Sequence, residues 1–389
     1  MPGLEKEIVI LSAARTPFGK FCGALKDLSA TELGIIAGRA AIEKAGISPA
    51  DIDHVIFGNA QQTSADAIYL ARHIGLKLGV PASVPALTVN RICGSGFQSI
   101  VSGAQLLLLG EAGFVLAGGT ENMSQAPHVI RGARSGIPLG EGGLEDSLWS
   151  ALTDTYCSLN MAETAENLAS RYGITREEAD EFAYQSQMRT KSAYESRRFN
   201  EEIVSIGGVL DRDEHPRPST TREALATLRP VFRKDGIVTA GNASGISDGA
   251  AAVVLSTSEA ARQKGIQPLA RIVSWGIAGC DPAVMGIGPV PAIEMALDRA
   301  GLALNKIDLI EVNEAFACQY LAVEKELDLD RKKVNVNGGA IAIGHPLGAT
   351  GTRLTTTLIY ELTRRNARYG VGSACIGGGQ GIALLLERI

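Results

Sequence analysis

Cys93 is the first residue in this chain whose type and setting suggest chemistry. It lies in NRICGSG at 90–96, a turn between a short apolar run at 87–89 and a helical pattern over Ser95–Leu109. A thiol at a helix N-terminus meets unpaired N–H groups and the positive end of the helix dipole, both of which favour thiolate. The same turn also reads as a buried cysteine in glycine-rich packing. A cysteine nucleophile needs a base, and the five histidines allow elimination. His54 aligns with an apolar residue of an internal repeat, His73 sits in the helix-like YLARHIGLKLG, and His215 lies in a charged stretch. His128 follows GGTENMS in a loop, which leaves His345 of GHPLGATG as the stronger candidate. Cys375 precedes GGGQG at a strand end, where it is either a small core residue or a second thiol able to move a proton. The amides of 377–379 beside it are free to bind an oxyanion. Asn313 and Glu314 follow the apolar run 309–312, at the strand end where parallel sheets place functional side chains.

The elements that must carry these residues follow a β-α-β rhythm. A strand over 7–12, a helix over Ala30–Ala45 stopped by Gly46, and strands at 55–58, 87–89 and 114–117 predict a buried, largely parallel sheet with helices on its faces. From 121 to 245 the chain turns more charged and turn-rich. Helices at 164–172 and 176–198 and the stretch DRDEHPRPSTT at 211–221, unsuited to a core, read as a cover inserted into the first α/β unit. The expected division is therefore 1–120 with 246–268 as one half, 121–245 as an α-rich inserted domain, and 269–389 as the other half.

A repeat supports the two halves. AIEKAGISPADIDHVIFGNA at 41–60 and ALDRAGLALNKIDLIEVNEA at 296–315 align without a gap as helix end, glycine stop and apolar strand. The turns at 90–99 and 337–351 correspond, as do the strands FVLAGG and GVGSACIGGG. Paired halves would bring equivalent turns together near a pseudo-twofold axis, building one site from both ends of the chain.

Composition narrows the class. A chain of 389 residues buries roughly three-quarters of its unfolded surface, so it needs no disulfide staples. Net charge is −5, against a general nucleic-acid or anionic-membrane binder. The six cysteines include no CxxC pair, which removes zinc ribbons and thioredoxin-type motifs and predicts free thiols and no metal. Glycine is enriched, 45 of 389, as in enzymes that bring backbone close to ligands. The run Ile8–Ala14 reads as a strand and not a signal peptide, and no apolar run approaches a bilayer span, so the expectation is a cytoplasmic protein, with an organellar matrix as the other compartment.

In combination and order, NRICGSG, VNEAFA, GGAIAIGHPLGATG and CIGGGQG resemble the thiolase superfamily, as do RTPFG at 15–19, GGTENMSQAP at 118–127 and VTAGNASGISDGAA at 238–251. SADAIYLARH, EDSLW and CDPAVMGIGPVPA are similar to the 3-ketoacyl-CoA branch of that family. The resemblance covers essentially the whole chain. It implies a five-layer αβαβα fold, a homotetramer built as a dimer of dimers, and CoA-dependent cleavage of 3-ketoacyl-CoA with the reverse Claisen condensation of acetyl-CoA.

It also implies roles. Cys93 matches the acylated nucleophile, His345 its base, and Cys375 the acid/base at the α-carbon. Asn313 matches the residue holding an oxyanion-hole water with His345. The amides of Cys93 and Gly377 match a second hole. Arg217, Ser244, Ala240, Met285 and Phe316 match contacts to coenzyme A, which is a substrate, so no cofactor is implied. One departure stands out: Asn160-Met161-Ala162 occupies the place where members specific for acetoacetyl-CoA often carry His-Met-Gly. A short-chain-only acetyltransferase and a non-enzymatic acyl-CoA or lipid carrier are the alternatives. A decarboxylating synthase with paired histidines cannot be built, because His345 is the sole histidine after His215. A cysteine hydrolase would release free acid without CoA. GIGPVP at 286–291 is not the GxGxxG of a dinucleotide fold.

Overall fold

The computed structural model describes residues 6–389. Strand β1 (Ile8–Arg15) is followed by helix α1 (Ala30–Ala45), strand β2 (His54–Gly58), helix α2 (Leu70–Leu78) and strand β3 (Ala86–Val89). Helix α3 (Ser95–Leu109) and strand β4 (Phe114–Asn122) complete that run. Ser29 and Glu32 close a capping box on α1, and Gly46 ends it at φ +68°, so this helix keeps the limits its sequence predicts. After the cover come strand β5 (Ser247–Thr257), strand β6 (Ala270–Gly279), helix α6 (Pro289–Ala300) and strand β7 (Leu309–Val312). Within the cover lie α4 (Met161–Tyr172) and α5 (Arg176–Glu195); after β7 come α7 (Ala317–Leu327), α8 (Leu347–Arg365), β8 (Tyr369–Ile376) and β9 (Gln380–Arg388).

Strand order displays the duplication. The first half runs β3-β2-β4-β5-β1 and the second β7-β8-β9-β6, with the segment around Val334 bridging Ile310 in parallel where the second half needs its fifth member. The expectation of a largely parallel sheet is corrected. Only β2 with β3 and β4, and β7 with β8, pair in parallel; β1, β5, β6 and β9 are all antiparallel to their neighbours. The reason is topological: β4 and β5 are consecutive in the sheet but joined through the cover, and β8 turns directly into β9. The halves also share an edge, where β1 and β6 pair antiparallel from Ile8↔Ile272 to Ile10↔Ala270.

Three large apolar clusters set out five layers. One packs α1 and α2 on the outer face of the first sheet, through Leu33, Ala37, Leu70 and Ile74. Another packs α6 and α7 on the outer face of the second, through Ile293, Ala296, Tyr320 and Leu321. The central one sandwiches α3 and α8 between both sheets, through Phe97, Ile100, Leu354 and Leu358. The stretch Ile92–Leu109 has a mean hydropathy of 1.4 over 18 residues, long and apolar enough to cross a bilayer, contrary to the sequence expectation. Its place in the central layer accounts for that composition.

The expectation that 211–221 holds no core residue also fails. Asp213 is buried and takes a bidentate pair from Arg15, at 2.7 and 2.9 Å, while Glu202 accepts from Arg15 Nε at 2.7 Å. The guanidinium also faces the rings of Phe18 and Phe199. Two carboxylates of the cover thus neutralise one buried arginine at the end of β1, which pins the cover to the sheet.

Candidate active site

Strand β3 ends at Val89, and the chain must turn sharply to start α3. Ile92 sits in the left-handed region at φ +46°, costly for a β-branched residue. Local hydrogen bonds hold it there. Asn90 Oδ1 accepts from the Ile92 amide at 2.9 Å, and Ser95 Oγ accepts from the Arg91 amide at 2.8 Å while donating to the Ile92 carbonyl at 2.7 Å. Gly94 and Gly96 are required by contact: a Cβ would lie 2.6 Å from Ile376 Cδ1 and 2.6 Å from the Thr352 amide respectively. The turn thereby presents Cys93 between the two halves. Helix-terminus stabilisation of its thiolate does not prevail. Burial pushes the thiol up to about 12, with the Gly377 amide and its own amide pulling back and the Glu121 charge adding to the rise.

His345 enters from the other half, just before α8. Thr350 Oγ1 donates its one hydrogen to the Pro346 carbonyl at 2.9 Å, so it faces His345 Nδ1, 2.6 Å away, as an acceptor. That fixes the proton on Nδ1 and leaves Nε2 bare, the form a base needs. Burial, reinforced by Arg353, pushes His345 down to about 3, so it is neutral. Asn313 Nδ2 lies 3.3 Å from Nε2, and Asn313 Oδ1 is buried without a partner among the described residues, a place for a water or a ligand donor.

Cys93, His345 and Gly377 line one cavity of about 470 Å³, together with Ser244, Met285 and Phe316. Cys375 and Asn313 lie behind its wall. Cys375 is fully buried and packs with Met285 and Ala315, and its thiol is raised by burial and then by the neighbouring Cys93 and Cys280. Gly377 packs against Met161: a Cβ there would meet its sulfur at 3.1 Å. Arg217 and Ala240 do not reach this cavity. They line an adjoining cleft of about 170 Å³ that shares Ala243 and Gly245 with it. Asn160 is the N-cap of α4, accepting from the Ala162 amide at 3.1 Å, with Glu163 closing the capping box at 2.8 Å. Its side chain also stands in the cavity wall. A neutral thiol, a neutral imidazole with a bare Nε2, and a convergent amide make a site suited to acyl transfer through sulfur.

Sequence reasoning missed three supporting groups. Thr350 was readable in principle, since a threonine four residues after Pro346 in a helix back-bonds to that carbonyl. Glu121 looked like the edge of the cover yet is fully buried at the end of β4. His215 was placed in the charged insert, but its ring packs between Gly245 and Gly344, next to the His345 loop. Among the described residues no group of His, Cys, Asp and Glu is arranged to hold a metal.

Family models described as Thiolase, N-terminal domain and Thiolase, C-terminal domain match residues 8–259 and 266–388. The chain belongs to the thiolase family. It is 55% identical over 392 residues to human mitochondrial 3-ketoacyl-CoA thiolase, covering 99% of each chain. It is 50% identical over 396 residues to the acetyl-CoA acetyltransferase of Pseudomonas aeruginosa, covering 98% of this chain and 100% of that one. A crystal structure of the human mitochondrial enzyme in complex with CoA superposes with a TM-score of 0.98 at 56% identity, covering 99% of each chain. The thiolase resemblance and the α/β fold expected from the sequence are both confirmed. This thiolase is an acyltransferase.

Proposed function

We propose that this thiolase cleaves 3-ketoacyl-CoA with coenzyme A to acetyl-CoA and a shortened acyl-CoA, and runs the reverse condensation of acetyl-CoA, by a ping-pong route through acyl-Cys93. The observation that carries this reading is the meeting of Cys93, His345 and the Gly377 amide on one cavity, with Cys375 directly behind it. Because the thiol and imidazole are both neutral at rest, the Cys93 proton passes to His345 Nε2 as the sulfur attacks the ketone carbonyl of 3-ketoacyl-CoA. The resulting C–C cleavage leaves the acyl group on sulfur, and the α-carbon of the departing acetyl-CoA takes a proton from Cys375. Coenzyme A then attacks acyl-Cys93: its thiol proton restores Cys375, and His345 returns its proton to the Cys93 sulfur as the shortened acyl-CoA leaves. The amides of Cys93 and Gly377 hold the tetrahedral oxyanion, and Asn313 with His345 holds the water that meets the thioester enolate oxygen. A thioester intermediate keeps the acyl group activated between half-reactions.

The two connected hollows support coenzyme A binding, with Ser244, Met285 and Phe316 near the reacting end and Arg217 and Ala240 further out. Both substrates are CoA species, and no cofactor enters the reading. We also assign 1–120 with 246–268, and 269–389, as the two catalytic halves, 121–245 as the cover, and a homotetramer in the cytoplasm or an organellar matrix as the working form.

Intact-mass analysis tests the route. With acetyl-CoA, Cys375→Ala is expected to accumulate acyl-enzyme yet form no acetoacetyl-CoA, while Cys93→Ser takes up no acyl group. An acyl adduct on any other cysteine overturns the assignment.

A further inference from the structure

Beside the catalytic cavity, one serine oxygen is saturated by groups from three segments. Ser247 Oγ lies 2.7 Å from the Gly245 carbonyl, within reach to donate to it. It accepts from the His345 backbone amide at 2.9 Å. Its remaining neighbour is His215 Nε2 at 2.8 Å, a hydrogen bond in which the ring tautomer sets which partner donates. The His345 amide is also directed at the Gly245 carbonyl, at 3.1 Å, so the backbone of the His345 loop is clamped to that of the 244–247 turn.

The ring of His215 is itself wedged. A Cβ on Gly245 would come within 2.3 Å of His215 Cε1, and one on Gly344 within 2.6 Å of His215 Cδ2 and 2.3 Å of Ser247 Oγ. Gly344 also sits at φ +107°, a conformation that excludes other residues. Glycines therefore flank His215 on both sides, one directly before His345 in sequence. His215 reaches the cleft that Arg217 and Ala240 line, but does not face the cavity holding Cys93. Burial lowers its pKa, with Asp213, a hydrogen bond to the Gly19 backbone and Glu214 opposing and Arg217 adding to the lowering, so the ring is neutral.

We propose that His215 is a positioning residue: through the hydrogen bond between its Nε2 and Ser247 Oγ it fixes the backbone at His345, and so the place of the imidazole that serves Cys93. This rests on the reading of His345 as the base. A base held slightly off line loses rate in the step it assists, without weakening ground-state binding in proportion.

The test is the rate of Cys93 acylation by acetyl-CoA, followed by quenched intact mass, in His215→Leu, His215→Gln, Ser247→Ala and the Leu/Ala double variant. His215→Leu and Ser247→Ala should each slow acylation at saturating acetyl-CoA about tenfold or more, with KM moved less than about threefold. His215→Gln, whose amide can still hydrogen-bond Ser247 Oγ, should recover most of that loss. The double variant should be no slower than the slower single, because both remove one interaction. The proposal is overturned if His215→Gln is as slow as His215→Leu, if the change lies in KM alone, or if the two losses multiply. Should His215→Leu not fold, Ser247→Ala against the unmodified enzyme decides. His345→Ala separates the two readings. If it acylates at the native rate, the base assignment fails; if it is slow while His215→Leu and Ser247→Ala are not, the positioning role alone fails.

Discussion

The Glu121 carboxylate accepts the Gly348 amide at 2.8 Å, joining the end of β4 to the first turn of α8 across 227 positions of sequence. Each carboxylate oxygen serves two donors: Oε1 takes Asn59 Nδ2 and the Gln61 amide, and Oε2 takes the amides of Ala60 and Gly348. Glutamine can satisfy one of these sides and must turn an NH2 toward the other. Glu121→Gln should therefore cost about 2 kcal/mol or more, as buried donors lose their acceptor. Urea unfolding measures it, and a loss below about 0.5 kcal/mol would show that the latch is dispensable.

The α3–α8 crossing gives a second expectation. A Cβ on Gly351 would stand 2.2 Å from the Phe97 backbone nitrogen. Alanine gains about 1 kcal/mol of helix propensity, yet overpacking two backbones costs about 1–3 kcal/mol or more. Gly351→Ala should be net destabilising, whereas Gly207→Ala, with nothing within 4 Å of its Cβ, should be near neutral. Thermal unfolding of the two variants side by side makes the comparison.

His345 predicts a pH dependence. Burial holds it neutral down to about 3, while an unfolded imidazole titrates near ~6.5. Between those values the unfolded chain binds the extra proton. The native state thus keeps its full margin above ~6.5 and loses up to about 1.4 kcal/mol per pH unit on acidification from this residue alone. In His345→Asn the fall in unfolding free energy between about pH 6.5 and 5 should be shallower by up to that slope. Parallel curves for the two proteins would contradict the assignment.

Asn160 concerns both helix and substrate. As N-cap of α4 it should be worth about 1 kcal/mol, lost in Asn160→Ala. Acceptance of 3-ketoacyl chains beyond four carbons is expected, with the wall around 148–161 setting preference by about 1–3 kcal/mol per methylene. Steady-state kcat/KM for thiolysis of C4, C6, C8 and C12 substrates checks this. Activity confined to C4 would make the enzyme an acetyl-CoA acetyltransferase in the narrow sense.

The sequence by itself determined the features written in local or repeated patterns. The α1 end followed from Gly46, and its start is held by the neighbouring Ser29 and Glu32, because caps are made by residues within one turn. The duplication followed from 41–60 and 296–315, and Cys93, His345 and Cys375 stood out as candidates in their glycine-rich turns. Tertiary structure decided what depends on groups distant in the chain. Strand direction was set by which strands the cover and the β8–β9 turn connect, so the sheet is mixed. The Cys93 thiol is raised because burial between two halves outweighs a helix terminus, a balance no local window contains. Asp213 and Glu202, polar in any sequence reading, are buried because Arg15 lies between them. His215 became legible only when folding set its ring between Gly245 and Gly344: a charged stretch in sequence says nothing about which backbone its one imidazole will meet.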